Sequence, residues 1–583
     1  MPGPRTQPPQ SAPRSWRHPV AAGLVYSLAT YCSLPPLGLW PFTLIAALAL
    51  IWGGCRIGAA GDRRARGALL TGLGTLPLWF AQEVWLINVT PVGYPLLALW
   101  LGFWTAVIVY GIAVVRSTGW RAPMALAAPL VWVMVEMLRG DIVLTGYPWF
   151  FAAHPLIEEP ALCLPARALG VSFVSALVVG LAGGLADSAG WTGVRARVGR
   201  LATVAVMLAW VGTSLIGATA RGQPAVARDL RLAIVQTNIP QGMKLNWSPE
   251  RQVEDFARFT QQTRAATSTR PDLVLWPETM FPGWALNTEA VEAARRFSDS
   301  LGERAGSFMR AYGYGFAEAL VRLQGELGVP MLVGALARDG VSIQTGKDGA
   351  KSLVEEQRYN SVAVIAGGRL LDERYDKVDL TPFGEVIPWV WRWPAVQKLV
   401  LDLGAGGMRF NLSFGARAGA IDVPLAEGGT VRAATPICFE VTRTALCRRL
   451  VYSAPDGRPA DLMISPSNDG WFGSEDWWLV SSEAKRRQHE LTARWRCLEL
   501  GVPMVRAVNT GISGYIDARG RVLRRETVAG DDRPSRTAAV FAGTVRAGAE
   551  GTIYGRIGNV WGWASVGGGA LLLAAAWRRR RSM

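Results

Sequence analysis

Three side chains in the second half of this chain carry complementary chemistry: the thiol of Cys438, the carboxylate of Glu278 and the ammonium of Lys377. Each sits at or just after an apolar, β-like run. Cys438 lies in Ala434-Thr435-Pro436-Ile437-Cys438-Phe439-Glu440, Glu278 ends Leu275-Trp276-Pro277-Glu278, and Lys377 ends Tyr375-Asp376-Lys377. A thiol attacks an acyl carbon once it is held as a thiolate or is easily converted to one. A carboxylate beside it in a water-poor pocket takes its proton as general base. A buried ammonium beside the carbonyl stabilises the tetrahedral oxyanion and favours the thiolate. Pro277 halts its strand and fixes φ, so Glu278 projects from a rigid position. Glu385, in Pro382-Phe383-Gly384-Glu385, either holds Lys377 in place or positions the base. Each residue has a plainer reading taken singly: a buried strand cysteine, a capping or ion-paired glutamate, a solvated loop lysine. Their joint occurrence favours nucleophilic acyl chemistry.

The elements that must hold these residues fall into two kinds. Half of the 583 residues are hydrophobic, with 25 Trp, too apolar for an ordinary soluble enzyme. A membrane-spanning helix needs about 20 apolar residues. Seven candidates precede residue 220: 19–34, 37–54, 67–87, 94–115, 123–138, 165–186 and 198–219. Pro35-Pro36 separates the first two, and the fifth carries Glu136. An eighth, 558–577, precedes Arg578-Arg579-Arg580-Arg581. No cleavable signal peptide is expected, because the apolar signal continues past one short segment. Arg56, Arg63, Arg64 and Arg66 follow the second span, Arg116 and Arg121 the fourth, and Arg195, Arg197 and Arg200 the sixth. The positive-inside rule then makes these loops and both chain ends cytoplasmic. Residues 220–557 are left on the outer side.

Between residues 228 and 548 the pattern changes to short β-rich runs. They are 230–236, 273–276, 330–334, 361–366, 431–438, 462–466 and 502–507, alternating with amphipathic helical segments at 250–267 and 316–327. That alternation predicts an α/β domain of layered sheets and helices. The stretch 284–315 reads as an inserted surface excursion. The expected organisation is a disordered terminus at 1–17, a membrane domain at 18–220 and an outer catalytic domain at 228–548. A transmembrane helix at 556–577 and a basic tail at 578–583 complete it. The formal charge of +16 is scattered over short loops without a basic-aromatic motif, so an anionic membrane surface explains it better than nucleic acid. Cys32, Cys55, Cys163, Cys438, Cys447 and Cys497 form no CxxC pair, so neither a zinc site nor a disulfide framework is expected. No metal or cofactor is expected. His489 is the one histidine of the outer region and the one possible partner for a Cys-His dyad.

Trp276-Pro277-Glu278, Lys377 with Pro382-Phe383-Gly384-Glu385, and Cys438-Phe439-Glu440 resemble the Glu-Lys-Cys triad of the nitrilase (carbon–nitrogen hydrolase) superfamily. With N-terminal spans and one C-terminal span, the chain resembles the bacterial apolipoprotein N-acyltransferases. Val235-Gln236-Thr237-Asn238-Ile239-Pro240-Gln241, Asn468-Asp469-Gly470-Trp471-Phe472-Gly473 and Arg506-Ala507-Val508-Asn509-Thr510-Gly511-Ile512-Ser513 extend the match. The resemblance implies an αββα sandwich with Cys438 as nucleophile, Glu278 as base and Lys377 at the oxyanion, supported by Glu385, Phe439 and Glu440. It implies acyl transfer from a phospholipid of the phosphatidylethanolamine type, through a cysteine thioester, to the α-amino group of a diacylglyceryl apolipoprotein. It also implies a monomer in the inner membrane with its catalytic domain in the periplasm. Phe439 departs from the family's usual Tyr. Trp247 is matched to a family tryptophan that normally stands closer to the lysine equivalent to Lys244, and by that resemblance is expected among the substrate and lipid access residues.

Trp389 and Trp391, in an aromatic segment after the lysine motif, together with Trp471 and Phe472, suit a membrane interface and predict a lipid entrance. Trp477 and Trp478 share that character. Core packing is the plainer reading of these aromatics. Two other functions fit parts of the chain: a membrane-tethered amidase using water as acceptor, and a receptor or transporter with a degenerate outer domain. The intact triad, and the few charges within the spans (Glu83, Glu136, Arg139), weigh against the latter.

Overall fold

The computed structural model describes residues 17–59, 63–119, 122–219, 227–240, 247–382, 384–386, 412–473, 476–477, 480–525 and 538–581. Among the described residues, five helices are long and apolar enough to cross a membrane: Phe42–Ala59, Gly93–Ser117, Val171–Ser188, Ala196–Thr219 and Val560–Arg580. Shorter helices Arg17–Ser33, Arg64–Gly74, Leu76–Gln82 and Met124–Met137 pack among them. The third candidate is therefore divided: Pro77 opens a new helix at its first turn, where a missing N–H costs nothing. The sixth is divided at Gly170, whose φ of +84° and contact with the Tyr554 ring suit no other residue. On Ala196–Thr219 the exposed Leu201, Leu208 and Leu215 repeat every seven residues and form one apolar stripe. Such a stripe is stable against lipid.

Among the described residues, the second half holds two six-stranded sheets. The first has the order β16 (Ala539–Ala547), β1 (Arg228–Gln236), β2 (Leu273–Trp276), β3 (Met331–Asp339), β6 (Gln357–Ala366), β7 (Arg369–Asp376). The second runs β15 (Val522–Arg525), β14 (Gly514–Ile516), β13 (Met504–Val508), β10 (Leu462–Ser467), β9 (Thr430–Ala434), β8 (Ile421–Pro424). Two hairpins, β4 (Ser342–Thr345) with β5 (Lys351–Val354) and β11 (Asp476–Trp477) with β12 (Val480–Ser481), stand apart. Each sheet has a parallel centre, β1–β2–β3 or β9–β10–β13, with antiparallel strands at its edges.

Burial follows the two-residue period of the strands. Leu232, Ile234, Leu273 and Leu275 join Ala433, Met463 and Val505 in one core that includes both sheets. Ala233, Val235, Val274 and Trp276 join Phe259, Phe316 and Leu320 in a second core, under helices Pro249–Thr267 and Gly315–Leu327. All four residues of β2 are buried, as a strand covered on both faces requires. Helices Thr444–Val451 and Ser482–Leu500 bring Leu446, Cys447, Leu450, Ala493, Cys497 and Leu500 to the first core. The 284–315 stretch is helical (Thr288–Asp299, Glu303–Phe308) and is pinned to β3 by reciprocal bonds between Asn287 and Arg338.

The Ser482–Leu500 helix joins the two halves. Its sequence is strongly polar, yet nearly every residue is buried. Lys485 Nζ meets Glu83 Oε1 at 3.1 Å, and Gln488 donates to Gln82 at 2.6 Å. Arg494 pairs with Glu158 at 2.9 Å, and Glu499 accepts from the Val171 N–H at 2.7 Å. The Lys485 ammonium also lies 4.3 Å from the Trp149 ring centre and 4.6 Å from that of Phe150. Burying this many polar groups is tolerable because most side chains of the helix find at least one polar partner, although among the described residues Gln488 Oε1 and Arg496 Nε are buried without a hydrogen bond.

Candidate active site

Glu278, Lys377 and Cys438 follow the carboxyl ends of β2, β7 and β9. β2 belongs to the parallel centre of its sheet, and two successive antiparallel pairings point β7 the same way. The ends of such strands are where open α/β sheets present loops to ligands. Gly334 of β3 admits the Glu278 turn: a Cβ there would stand 2.1 Å from the Pro277 carbonyl oxygen. The strand expected at 431–438 stops at Ala434, and Cys438 opens a tight turn, Cys438–Thr442, with φ of +51°. An L-residue in that region is held there by its surroundings. The thiol is thereby half-buried at a bend rather than locked inside a strand.

Lys377 Nζ lies 2.7 Å from Glu385 Oε2 and 3.4 Å from Glu278 Oε1, with Thr381 Oγ1 at 3.3 Å. Asn360, on β6, donates to Glu278 Oε1 and to Glu385 Oε1, both at 2.8 Å. Its carbonyl accepts the Lys377 backbone N–H at 2.8 Å. Among the described residues, Glu278 Oε2 is buried without a hydrogen-bond partner. Burial alone would lower the Lys377 pKa, but Glu385, Glu278, Cys438 and Glu440 outweigh it and hold the ammonium above its ordinary value. Burial opposes ionisation of Glu385 too. Lys377 and the hydrogen bonds from Thr381 and Asn360 win, and hold that carboxyl below its usual range. Desolvation and the charge of Glu278 push the Cys438 thiol well above its ordinary value, against the pull of Lys377.

Glu440 ties the loops together. Its Oε1 accepts the N–H groups of Val378 and Asp379 at 2.8 and 2.9 Å, and its Oε2 accepts that of Ile437 at 2.8 Å. The Tyr375 hydroxyl donates to both oxygens. Burial pushes this carboxyl up to about 7, against the pull of Lys377 and these donors. The loop carrying Lys377 and the turn carrying Cys438 are thus fastened to one carboxylate. Phe439 is half-buried beside it.

The expected access residues separate. Trp247 donates to Asp255 at 2.9 Å and packs on the outer helical layer. Phe472 is buried against Trp85, Trp149 and His489, in the core of the N-terminal helices. Trp471 is half-buried. Trp389 and Trp391 lie outside the described residues, as does Trp478. His489 meets Asp469 at 2.9 Å, so it forms an acid–imidazole pair. Glu136 accepts the Ala152 N–H at 2.7 Å and Arg139 donates to the Trp149 carbonyl at 2.7 Å. Together they shape the loop that places Trp149 and Phe150 over Lys485. Sequence reasoning missed Asn360 and Tyr375. Asn360 is a lone amide inside a β-run, with no motif to mark it, whereas Tyr375 stands within the lysine motif.

A family model described as the apolipoprotein N-acyltransferase N-terminal domain matches residues 26–184, and one described as carbon–nitrogen hydrolase matches residues 231–529. The chain is 30% identical to an apolipoprotein N-acyltransferase of Bordetella bronchiseptica, over 77% of this chain and 73% of that one. The chain belongs to the apolipoprotein N-acyltransferase family. Relatives of the same name from Geobacter metallireducens (27% identical, 97% and 96% covered) and Vibrio cholerae (26%, 97% and 98%) match almost end to end. The family's two parts, apolar helices and hydrolase sandwich, are therefore both present, joined by the Ser482–Leu500 helix.

Proposed function

We propose that this protein moves an acyl chain from a membrane phospholipid to the α-amino group of the diacylglyceryl-cysteine that begins an apolipoprotein, with Cys438 as the covalent carrier. What supports the assignment of roles is the free Oε2 of Glu278. Glu385 is the carboxylate kept ionised by Lys377, while Glu278 has an oxygen left over to take a proton. One ammonium faces two carboxylates, so a proton arriving on Glu278 neutralises the cluster. Glu278 takes the thiol proton and the sulfur attacks the donor ester. The oxyanion forms beside Lys377, and collapse expels the lysophospholipid, which leaves with the proton from Glu278. The substrate amine then attacks the thioester, passing its proton to Glu278. The C–S bond breaks, and the thiolate recovers that proton. Asn360 and Glu385 hold the ammonium and the base at fixed separation throughout, as preorganised catalysis requires.

The donor is of the phosphatidylethanolamine type, and the protein works as a monomer in the inner membrane with its sandwich in the periplasm. Supporting this orientation, the Ser482–Leu500 helix binds Gln82, Glu83 and Glu158, which lie at the ends opposite the arginine-rich loops. The test supplies purified protein in nanodiscs with phosphatidylethanolamine and a diacylglyceryl peptide bearing a free α-amine. N-acylated peptide plus lysophospholipid is the expected product pair. Free fatty acid with unmodified peptide would instead identify a hydrolase.

A further inference from the structure

Behind Cys438 runs a buried polar chain that the steps above leave unused. Ser467, the last residue of β10, ends level with the Cys438 turn, because β10 runs parallel to β9 with Met463 beside Ala434; its hydroxyl favours the Cys438 thiolate and donates to Asp469 Oδ1 at 2.8 Å. Asp469 Oδ1 also lies 2.9 Å from His489 Nδ1, and its Oδ2 accepts from Arg506 Nη2 at 3.1 Å. Ser467, Asp469, His489 and Arg506 are all at most 2% exposed. These residues come from β10, the turn after it, the Ser482–Leu500 helix and β13, so three elements converge behind the sulfur. On its other sides the thiol faces Glu278 after β2 and Lys377 after β7, with Glu385 and Glu440 bound around the lysine.

A serine hydroxyl has one proton to donate and two claimants here, Sγ and Asp469. We propose that Ser467 is a positioning residue for the Cys438 sulfur, and that Asp469, held by hydrogen bonds to His489 and Arg506, sets which way the Ser467 hydroxyl points. The proposal rests on Cys438 being the nucleophile. With the thiol protonated, the Ser467 O–H donates to Asp469. When Glu278 removes the thiol proton, that O–H turns and donates to the thiolate, and Asp469 keeps His489 and Arg506. When the thioester is cleaved, the C–S electron pair returns to sulfur. The same O–H then steadies the leaving thiolate until Glu278 returns its proton. No proton enters or leaves along the chain. Without His489, Asp469 retains the Ser467 proton, and its charge faces the thiolate less compensated.

The experiment alkylates the full-length protein with iodoacetamide, without donor lipid, across a pH series, and reads the Cys438 peptide by mass spectrometry. Ser467→Ala is expected to slow alkylation about tenfold at fixed pH below the midpoint, equivalent to a shift of about one pH unit. Ser467→Thr keeps the hydroxyl and is expected to follow the wild type. His489→Ala is expected to shift the profile in the same direction, and His489→Asn, which retains a donor near the Nδ1 position, to restore it. Coincident profiles for wild type and a folded Ser467→Ala, or equal shifts for the Ala and Thr variants, would overturn the proposal. If Ser467→Ala does not fold, the His489 pair decides the question. Failure of the nucleophile assignment reads out separately, as N-acylation that persists in Cys438→Ala.

Discussion

Lys377 has two duties that pull its energetics in one direction. It is the cation proposed to meet the oxyanion, and it is the only positive charge given to Glu278 and Glu385 by the contacts among the described residues. Lys377→Met should lower kcat by about 10²–10³-fold, the usual loss of an oxyanion donor. Breaking a buried pair by removing one partner also costs about 3–5 kcal/mol. Thermal unfolding should show that loss, and Glu385→Gln in the same chain should recover part of the stability but none of the rate. Asp469 carries a pH signature. Burial opposes its charge, but His489, Arg506 and Ser467 hold its carboxyl down to about 2, from an ordinary 3.8. A depressed carboxyl contributes stability that is complete above the unfolded value and fades as pH falls through the folded one. Between pH 3.8 and about 2 the wild type should therefore lose stability more steeply than Asp469→Asn, measured by unfolding across an acid series.

At the scale of elements, the Ser482–Leu500 helix positions the sandwich on the apolar helices. Lys485 and Glu83 are both almost wholly buried, so each single neutralisation leaves the other charge without its partner. Lys485→Met or Glu83→Gln alone should destabilise by about 3–5 kcal/mol, and the double variant by less than either; thermal unfolding of all four proteins completes the cycle. The sequence could not reveal this helix, because polar residues in a helical stretch ordinarily mean solvent. The partners that make its burial tolerable come from residues 82–83, 158 and 171, hundreds of positions away. The core strands were legible for the opposite reason. β2, β3, β10 and β13 are mostly apolar runs covered on both faces, and β-rich composition alone marks them. β7, which delivers Lys377, is β-like in sequence only just before the lysine: its Arg369, Glu373 and exposed Asp372 belong to a sheet edge and hide the rest of the strand. The lysine was found through its motif instead. Glu440 was placed only by resemblance, since its role as a knot between two loops depends on backbone N–H groups that no sequence pattern displays.

For the whole molecule, the proposed topology sets the sandwich against lipid with the chain ends across the bilayer. The arginine-rich loops follow the second, fourth and sixth apolar candidates, whereas the sandwich is gripped near the end of the third and after the fifth. Cysteine substitutions at exposed positions should show this directly. In intact cells a thiol at Asp348 should react with a membrane-impermeant maleimide, and one at Arg195 should react only after lysis. The reverse pattern would place the catalytic residues on the wrong side for the proposed substrates. Cys438 is the proposed carrier of the acyl chain. The most direct test of that role is intact mass spectrometry of the purified protein after incubation with phosphatidylethanolamine and no acceptor. One hydroxylamine-sensitive acyl adduct should appear on the wild type, be absent from Cys438→Ala, and disappear on adding the diacylglyceryl peptide as that peptide gains the acyl chain. N-acylation of the peptide at the wild-type rate by Cys438→Ala would contradict the account.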